Sequence, residues 1–337
     1  MTEICALILA AGEGRRLRPL TNLLPKALCP VGNIALLDRA LQRVSALGFR
    51  DPSTVAVNAA YLADQIVSHV GTRAHLSVEP GGPLGTSGGV ANLRDWISGR
   101  GVLVGNADAY LSDPDREPGK DIAALLDGWD GTTVRMLTTA PTPTRRGEFS
   151  DACFAGLSLL PWHYVKDLTP TFSDLVRTVW RPAEAAGHLT LIPYAGTYID
   201  TGTPRDYLSA NLHAAASPAP ASLATNLHTA ASPTPASLTG ADSPVSAGSL
   251  VGAGSPVSAG SPVSAGSPVS AGSPVSAGSL IGAGATVTGS VTESVIGAGA
   301  TVSGDVTRCV IWPGATVTAG ETLTDVIRAG KDLTVAA

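Results

Sequence analysis

The segment Leu7–Val31, LILAAGEGRRLRPLTNLLPKALCPV, gathers the residues best suited to chemistry. An apolar run enters a glycine-containing loop. Arg15, Arg16 and Arg18 follow, and Lys26 stands ten residues beyond Arg16. Backbone N–H groups across Ala10, Ala11, Gly12 and Gly14 can line a nest for phosphate oxygens. Arg16 offers a planar, bidentate grip on such oxygens, and Lys26 a mobile point charge. Pro19 and Pro25 stiffen the excursion. The spacing is not a P-loop, because no Gly-Lys-Ser/Thr follows. It is not a dinucleotide fingerprint either, because Leu17 holds the third glycine position. On composition alone, a solvated basic loop is the competing description.

Such a loop needs a rigid base, and the flanking sequence supplies one. Ile4–Leu9, Thr54–Asn58, His75–Glu79 and Val102–Val104 read as short buried strands. Ile34–Leu47 carries apolar residues at 34, 36, 37, 40, 41, 44 and 47, a helical stripe closed by Gly48. Tyr61–Val70 and Gly88–Ile97 also read as helices. Strand–helix–strand alternation predicts an α/β fold with a mostly parallel, Rossmann-like sheet. Ligands on such sheets sit at the carboxyl ends of strands where strand order reverses. The loop after Leu9 and the loop holding Asp108 are therefore the places to look. Ala152–Leu160, Leu189–Pro193 and Thr197–Ile199 read as further strands. Thr203–His213 reads as a helix with Thr203 as N-cap and Pro204 as its first residue.

The 337 residues divide unevenly by charge, with 40 charged side chains up to Leu208 and nine thereafter. A formal net charge of −5 gives no basic footprint for nucleic acid. No apolar run approaches the ~20 residues of a membrane helix, and Ile4–Ala11 fits a buried strand better than a signal peptide. Cys5, Cys29, Cys153 and Cys309 lie far apart and form no Cys-x-x-Cys pair, so a reduced, cytoplasmic protein is expected. The expected domains are residues 1–213, an Ala/Ser/Pro-rich linker over 214–242, and a repeat domain over 243–337. In that last part Ser-Pro-Val-Ser-Ala-Gly recurs almost strictly. The phase then lengthens, with Ile281, Ile296 and Ile311 each 15 residues apart. One aliphatic residue every six, followed by Gly and small residues, is the rule of a parallel β-helix of hexapeptide type. For Ser243–Gly278 a disordered low-complexity tract is the alternative, because Pro in nearly every repeat removes a ladder donor.

The Leu7–Val31 segment resembles the signature of the sugar-1-phosphate nucleotidyltransferases (nucleoside-diphosphate-sugar pyrophosphorylases), LAAGxGTRLxPLT followed by PKxLxPV. Arg15 departs from it, standing where the family has Thr. Three later segments agree in order. Leu84–Val90 (LGTSGGV) resembles a loop in which Gly85, Thr86 and Gly88 would admit the nucleotide. Gly105–Asp108 (GNAD) and Gly196–Leu212 resemble the two metal-binding segments, with Asp108 and Asp200 as ligands. A lone Asp after a strand is usually a turn or cap residue, but two at predicted strand ends favour the metal.

The resemblance implies transfer of a nucleotidyl group from a nucleoside triphosphate to a sugar-1-phosphate, with Mg²⁺ as cofactor and with Arg16 and Lys26 as catalytic cations. The family's Glu-Lys-Pro segment is missing. Only Thr138–Ala152 occupies that stretch, leaving Arg145 or Arg146 as candidates for the sugar phosphate and Glu148 for the sugar hydroxyls, or all three as a solvated turn. The carboxyl repeats resemble the left-handed β-helix appended in mannose-1-phosphate guanylyltransferases and point to a homo-oligomer. A non-catalytic sensing or assembly relative is the alternative function. Retention of Arg16, Lys26, Asp108 and Asp200 weighs against it.

Overall fold

In the computed structural model, which describes residues 3–143, 145–217 and 274–337, the run Ile4–Leu9 is strand β1. It is buried on both faces. Ala6 and Ile8 enter one apolar cluster, while Cys5 and Leu7 enter the other. A strand buried on two sides needs a near-continuous apolar run rather than alternation, which is what residues 4–9 supply. Each Leu or Ile so placed contributes roughly 2 kcal/mol through burial.

Chain contacts divide the molecule into two units, Met1–Cys29 with Ala35–Asp200, and Pro30–Ile34 with Thr201–Ala337. The first unit runs through β1, α1 (Leu36–Ala46), β2 (Val55–Ala59), α2 (Ala63–Val70), β3 (His75–Val78), α3 (Gly85–Asn92), β4 (Gly101–Asn106), β5 (Ala109–Ser112), β6 (Val134–Thr139) and β7 (Cys153–Leu160). A π-helical turn at Val176–Trp180 leads into α4 (Arg181–Ala185), β8 (Leu189–Pro193) and β9 (Thr197–Asp200). Seven strands form one sheet in the order β8-β6-β7-β4-β1-β2-β3. Its pairs are parallel except those of β7, which runs antiparallel to both β4 and β6. The expected mostly parallel α/β sheet is present. Strand order reverses between β1 and β4, which opens a crevice at their carboxyl ends.

Two expected helices begin or break differently. Ile34 belongs to a two-residue strand, not to α1, because Gly32 (φ 57°) and Asn33 (φ 63°) make a tight turn with positive φ at both central residues. The expected helix Gly88–Ile97 starts three residues early at Gly85 and is interrupted at Leu93, before a short turn of helix at Arg94–Ile97.

In the second unit, α5 (Pro204–Ala216) starts as expected. The Thr203 hydroxyl accepts from Asp206 N at 3.2 Å. Residues 280–329 then wind as a three-faced parallel β-helix. Ile281, Ile296 and Ile311 stack on one face, Val287, Val302 and Val317 on a second, and Val291 and Val306 on the third. The coil advances by 15 residues from Ile281 to Ile296 and to Ile311, and by 17 from Ile311 to Arg328, rather than by three equal hexapeptides. The antiparallel pair Val326–Ala329 and Leu333–Ala336 completes one face. Within this unit the Tyr207 hydroxyl donates to the Pro30 carbonyl and accepts from Trp312 Nε1, while Asn211 Oδ1 accepts from Gly32 N. Most of the expected linker 214–242, and the repeats as far as residue 273, lie outside the described residues.

Candidate active site

The loop after β1 is folded back on itself. Leu17, Leu20 and Leu28 are buried within three successive 3-10 turns, Arg15–Leu17, Leu20–Asn22 and Lys26–Leu28. Gly14 adopts φ 62°, and its carbonyl accepts from the Thr21 hydroxyl at 3.0 Å. A Cβ on Gly14 would lie 2.9 Å from Thr21 Cγ2 and 3.0 Å from Lys26 Cβ, so this glycine lets the loop close over Lys26. Lys26 is only 6% exposed. Gly12 faces open space.

Two carboxylates meet the buried ammonium. Asp108 lies in the turn between β4 and β5. Asp200 ends β9, and the antiparallel β5–β9 ladder pairs it with Ala109. Lys26 Nζ donates to Asp108 Oδ2 at 2.5 Å and to Asp200 Oδ1 at 3.5 Å. Arg16, exposed for two thirds of its side chain, reaches Asp200 Oδ2 at 3.4 Å. Arg16, Lys26, Asp108 and Asp200 are thus brought together. Arg15 is not part of that group, because two of its nitrogens donate to Glu13 at 2.7 and 2.8 Å, and Arg18 joins the same carboxylate at 3.1 Å. The extra cation beside Arg16 is neutralised locally.

Tyr198 is a site residue that the motifs do not reveal. It sits two positions before Asp200 on β9 and so shares its face. Burial raises its phenol above the ordinary range, and the charges of Asp200 and Asp108 add to the effect. The Arg145 guanidinium stands over its ring, 5.5 Å from the centroid. Arg145 is also held by Glu148 Oε1 at 2.9 Å and by the Phe154 carbonyl at 2.7 Å. Arg145 and Glu148 therefore form a pair anchored beside the two aspartates, while Arg146 is exposed.

The LGTSGGV turn has a tenant within the chain. A Cβ on Gly85 would lie 2.3 Å from the Ser173 carbonyl oxygen, and one on Gly88 would lie 2.3 Å from that of Thr171. Ser173 N donates to Leu84 O, Ser87 N donates to Ser173 O, and Leu175 N donates to Thr86 Oγ1. The two glycines and Thr86 thus hold the strap Thr171–Leu175. On their buried side, the Glu79 carboxylate accepts from Leu84 N and Asn58 Nδ2, each at 2.8 Å, and Asn58 Oδ1 accepts from Ala10 N at 2.7 Å.

Among the described residues there is no cage of three or more His, Cys, Asp or Glu side chains. Asp108 and Asp200 are close enough for one ammonium to touch both. Two convergent carboxylates suit a hard divalent cation that takes its remaining ligands from phosphate and water.

Residues 5–127 match the family model for nucleotidyl transferases. The match takes in 123 of the 337 residues. The nucleotidyl transferase family generally uses a divalent metal. Over 116 residues the chain is 39% identical to an N-acetylmuramate alpha-1-phosphate uridylyltransferase of Neisseria meningitidis, covering 33% of this chain and 48% of that one. Over 130 residues it is 30% identical to a mannose-1-phosphate guanylyltransferase of Mycobacterium tuberculosis, covering 37% of this chain and 33% of that one. The chain thus spans half or less of the length of these curated relatives. A Bacillus anthracis crystal structure designated a glucose-1-phosphate thymidylyltransferase shares the fold. Its TM-score is 0.52 at 18% identity, over 63% of this chain and 95% of that one. Asp200, Tyr198, Arg145 and Glu148 lie beyond the matched residues 5–127. Among the described residues, no helix is long and apolar enough to cross a membrane.

Proposed function

We propose that this chain transfers a nucleoside monophosphate from a nucleoside triphosphate to a sugar-1-phosphate, forming a nucleoside-diphosphate sugar and releasing pyrophosphate. The observation that carries this reading is the meeting of Arg16, Lys26, Asp108 and Asp200 at the crevice of a nucleotidyl transferase domain.

Two anions must be brought together, so positioning and charge neutralisation dominate. The nest of Ala11, Gly12 and Gly14 holds triphosphate oxygens through backbone N–H groups; Ala10, expected in the nest, is not available, because its N–H donates to Asn58 Oδ1. An already ionised sugar-phosphate oxygen bonds to the α-phosphorus, the bond from that phosphorus to the bridging oxygen breaks, and pyrophosphate leaves with the electron pair. No general base is needed. Arg16, exposed at the rim, grips the departing pyrophosphate. Lys26 neutralises charge on the α-phosphate oxygens. Asp108 and Asp200 would hold Mg²⁺, which would supply further neutralisation of the phosphates when bound. The Gly85–Gly88 turn meets the nucleoside through backbone that the strap leaves open, since the Thr86 hydroxyl and the faces of Gly85 and Gly88 are taken by Thr171–Leu175. Arg145, held over Tyr198 by Glu148, and the exposed Arg146 receive the sugar phosphate.

The reading extends to a cytoplasmic enzyme, where nucleoside triphosphates are supplied and free thiols persist, and to self-association through the β-helix. The test is Mg²⁺-dependent pyrophosphate release across a grid of UTP, GTP, dTTP and ATP against glucose-, mannose- and N-acetylmuramate-1-phosphates. One strong combination establishes the activity and names both substrates. A blank grid overturns the catalytic reading. A monomer mass by light scattering overturns the self-association.

A further inference from the structure

Glu79 and Asn58 are buried polar side chains that the proposed chemistry does not use. They are 3% and 1% exposed, at the carboxyl ends of two adjacent parallel strands. Burying a carboxylate is costly unless its oxygens are bonded, and here each oxygen has a donor: Asn58 Nδ2 on Oε1 and Leu84 N on Oε2. The orientation of the Asn58 amide is dictated from its other side. Ala10 N can only donate, so it takes Oδ1 and turns Nδ2 toward Glu79. Gly89 of α3 rests against the pair, since a Cβ there would lie 2.7 Å from Asn58 Nδ2 and 3.2 Å from Glu79 Oε1.

The result is one unbroken chain of hydrogen bonds, Ala10 N to Asn58 to Glu79 to Leu84 N. Its ends are Ala10, the residue entering the phosphate nest, and Leu84, the residue entering the Gly85–Gly88 turn. These two loops are 74 residues apart in sequence, and each contributes backbone to one side of the nucleotide in the reading above. Both backbones are thereby held by a single internal link.

We propose that Asn58 and Glu79 are positioning residues that fix the spacing between the phosphate nest and the nucleoside turn, and so set the affinity for the nucleotide. The inference rests on the nucleotide site proposed above. It needs no contact between either side chain and the ligand.

The link can be broken and remade without changing its shape. In Glu79→Gln, the amide N–H₂ must face either Asn58 Nδ2 or Leu84 N, so two donors oppose each other in either orientation. In Asn58→Asp, two carboxylates oppose each other. The double variant restores every bond, with only the one between positions 58 and 79 reversed in direction. The new carboxylate at position 58 accepts from Ala10 N and from the new amide at position 79, whose oxygen accepts from Leu84 N. The experiment is calorimetric titration of the intact chain and the three variants with UTP, GTP and dTTP in Mg²⁺, with a thermal melt of each.

Each single variant is expected to bind its nucleotide about tenfold more weakly, the size of one buried hydrogen bond left unmade, with sugar-1-phosphate KM unchanged. The double variant is expected to recover to within about threefold. A purely structural role would lower the melting temperature of the single variants and leave their nucleotide affinity at the wild-type value, which overturns the proposal. So does a double variant that folds but binds no better than the single ones. Wild-type protein that binds none of the nucleotides overturns the nucleotide site itself, and this inference with it.

Discussion

Asp200 pairs with Ala109 across the β5–β9 ladder, and this register alone brings it beside Asp108, 92 residues earlier in the chain. A one-residue slip would turn Asp200 to the other face of its strand. The convergence of the two carboxylates on Lys26 is therefore a property of β-pairing as much as of the aspartates.

Replacing either aspartate by asparagine separates charge from shape. Asp108→Asn and Asp200→Asn are expected to lower Mg²⁺-dependent pyrophosphate release by at least about 100-fold, a loss typical of removing a key electrostatic group. Circular dichroism should stay that of the wild type. EDTA should abolish turnover in the wild type, and excess Mg²⁺ should restore it. Either variant turning over normally would remove that carboxylate from the proposed metal site.

Lys26→Met removes a buried cation and leaves Asp108 and Asp200 facing each other. Turnover should fall at least about 100-fold, and Lys26→Arg should not rescue it, because a planar fork does not fit a space shaped for a point charge. Steady-state kinetics of the two variants check this, with Arg rescue as the contrary result.

Glycines at the site should separate by what lies beside them. Gly88→Ala forces a methyl against the Thr171 carbonyl, and Gly85→Ala does the same at Ser173 with φ at 74°. Each is expected to cost about 2–3 kcal/mol by crowding the strap. Gly12 faces open space, so Gly12→Ala should leave the denaturation midpoint unchanged while weakening nucleotide binding. Chemical denaturation and calorimetry together test the contrast.

A third cluster gives a pH signature away from the site. Asp38 accepts from His69 Nε2 at 2.9 Å and from Arg73 at 2.7 Å. Burial pushes its carboxyl up, but His69 and Arg73 outweigh that and hold it below the ordinary value of 3.8. A carboxyl whose folded pKa is depressed stabilises the protein above its unfolded value, and that contribution is lost as pH falls through the folded one. The melting temperature of Asp38→Asn should therefore trail that of the wild type at neutral pH, with the gap closing below about pH 3.8. A gap that stays constant into acid would contradict the assignment.

The parts of this fold legible in the sequence are those with a local signal. Ile4–Leu9 announces a doubly buried strand, and Thr203-Pro204 announces the start of a helix. The Val and Ile spacing announces the β-helix. Asp108 and Asp200 are legible as strand-end residues, but their pairing is not, because register between distant strands leaves no local mark. Tyr198 was within reach through its i, i+2 relation to Asp200. Gly85 and Gly88 suggest room for a ligand. Only tertiary contact shows that the strap Thr171–Leu175 takes up part of it. The 15-residue spacing of Ile281, Ile296 and Ile311 is legible too, whereas the 17-residue step from Ile311 to Arg328 is not, because strand pairing alone sets it.

The antiparallel strand Leu333–Ala336 gives the coil stack a polarity. It occupies the outer edge of the face built on Ile281, Ile296 and Ile311, where the next parallel rung would have to pair. A duplicated 15-residue segment can be spliced in before that strand and find a ready-made ladder above and below. Past it, the same segment meets an antiparallel strand where that face would need a parallel rung. On that face a new rung is thus accommodated ahead of Leu333–Ala336 and not behind it, so the insertion of a repeat has a direction.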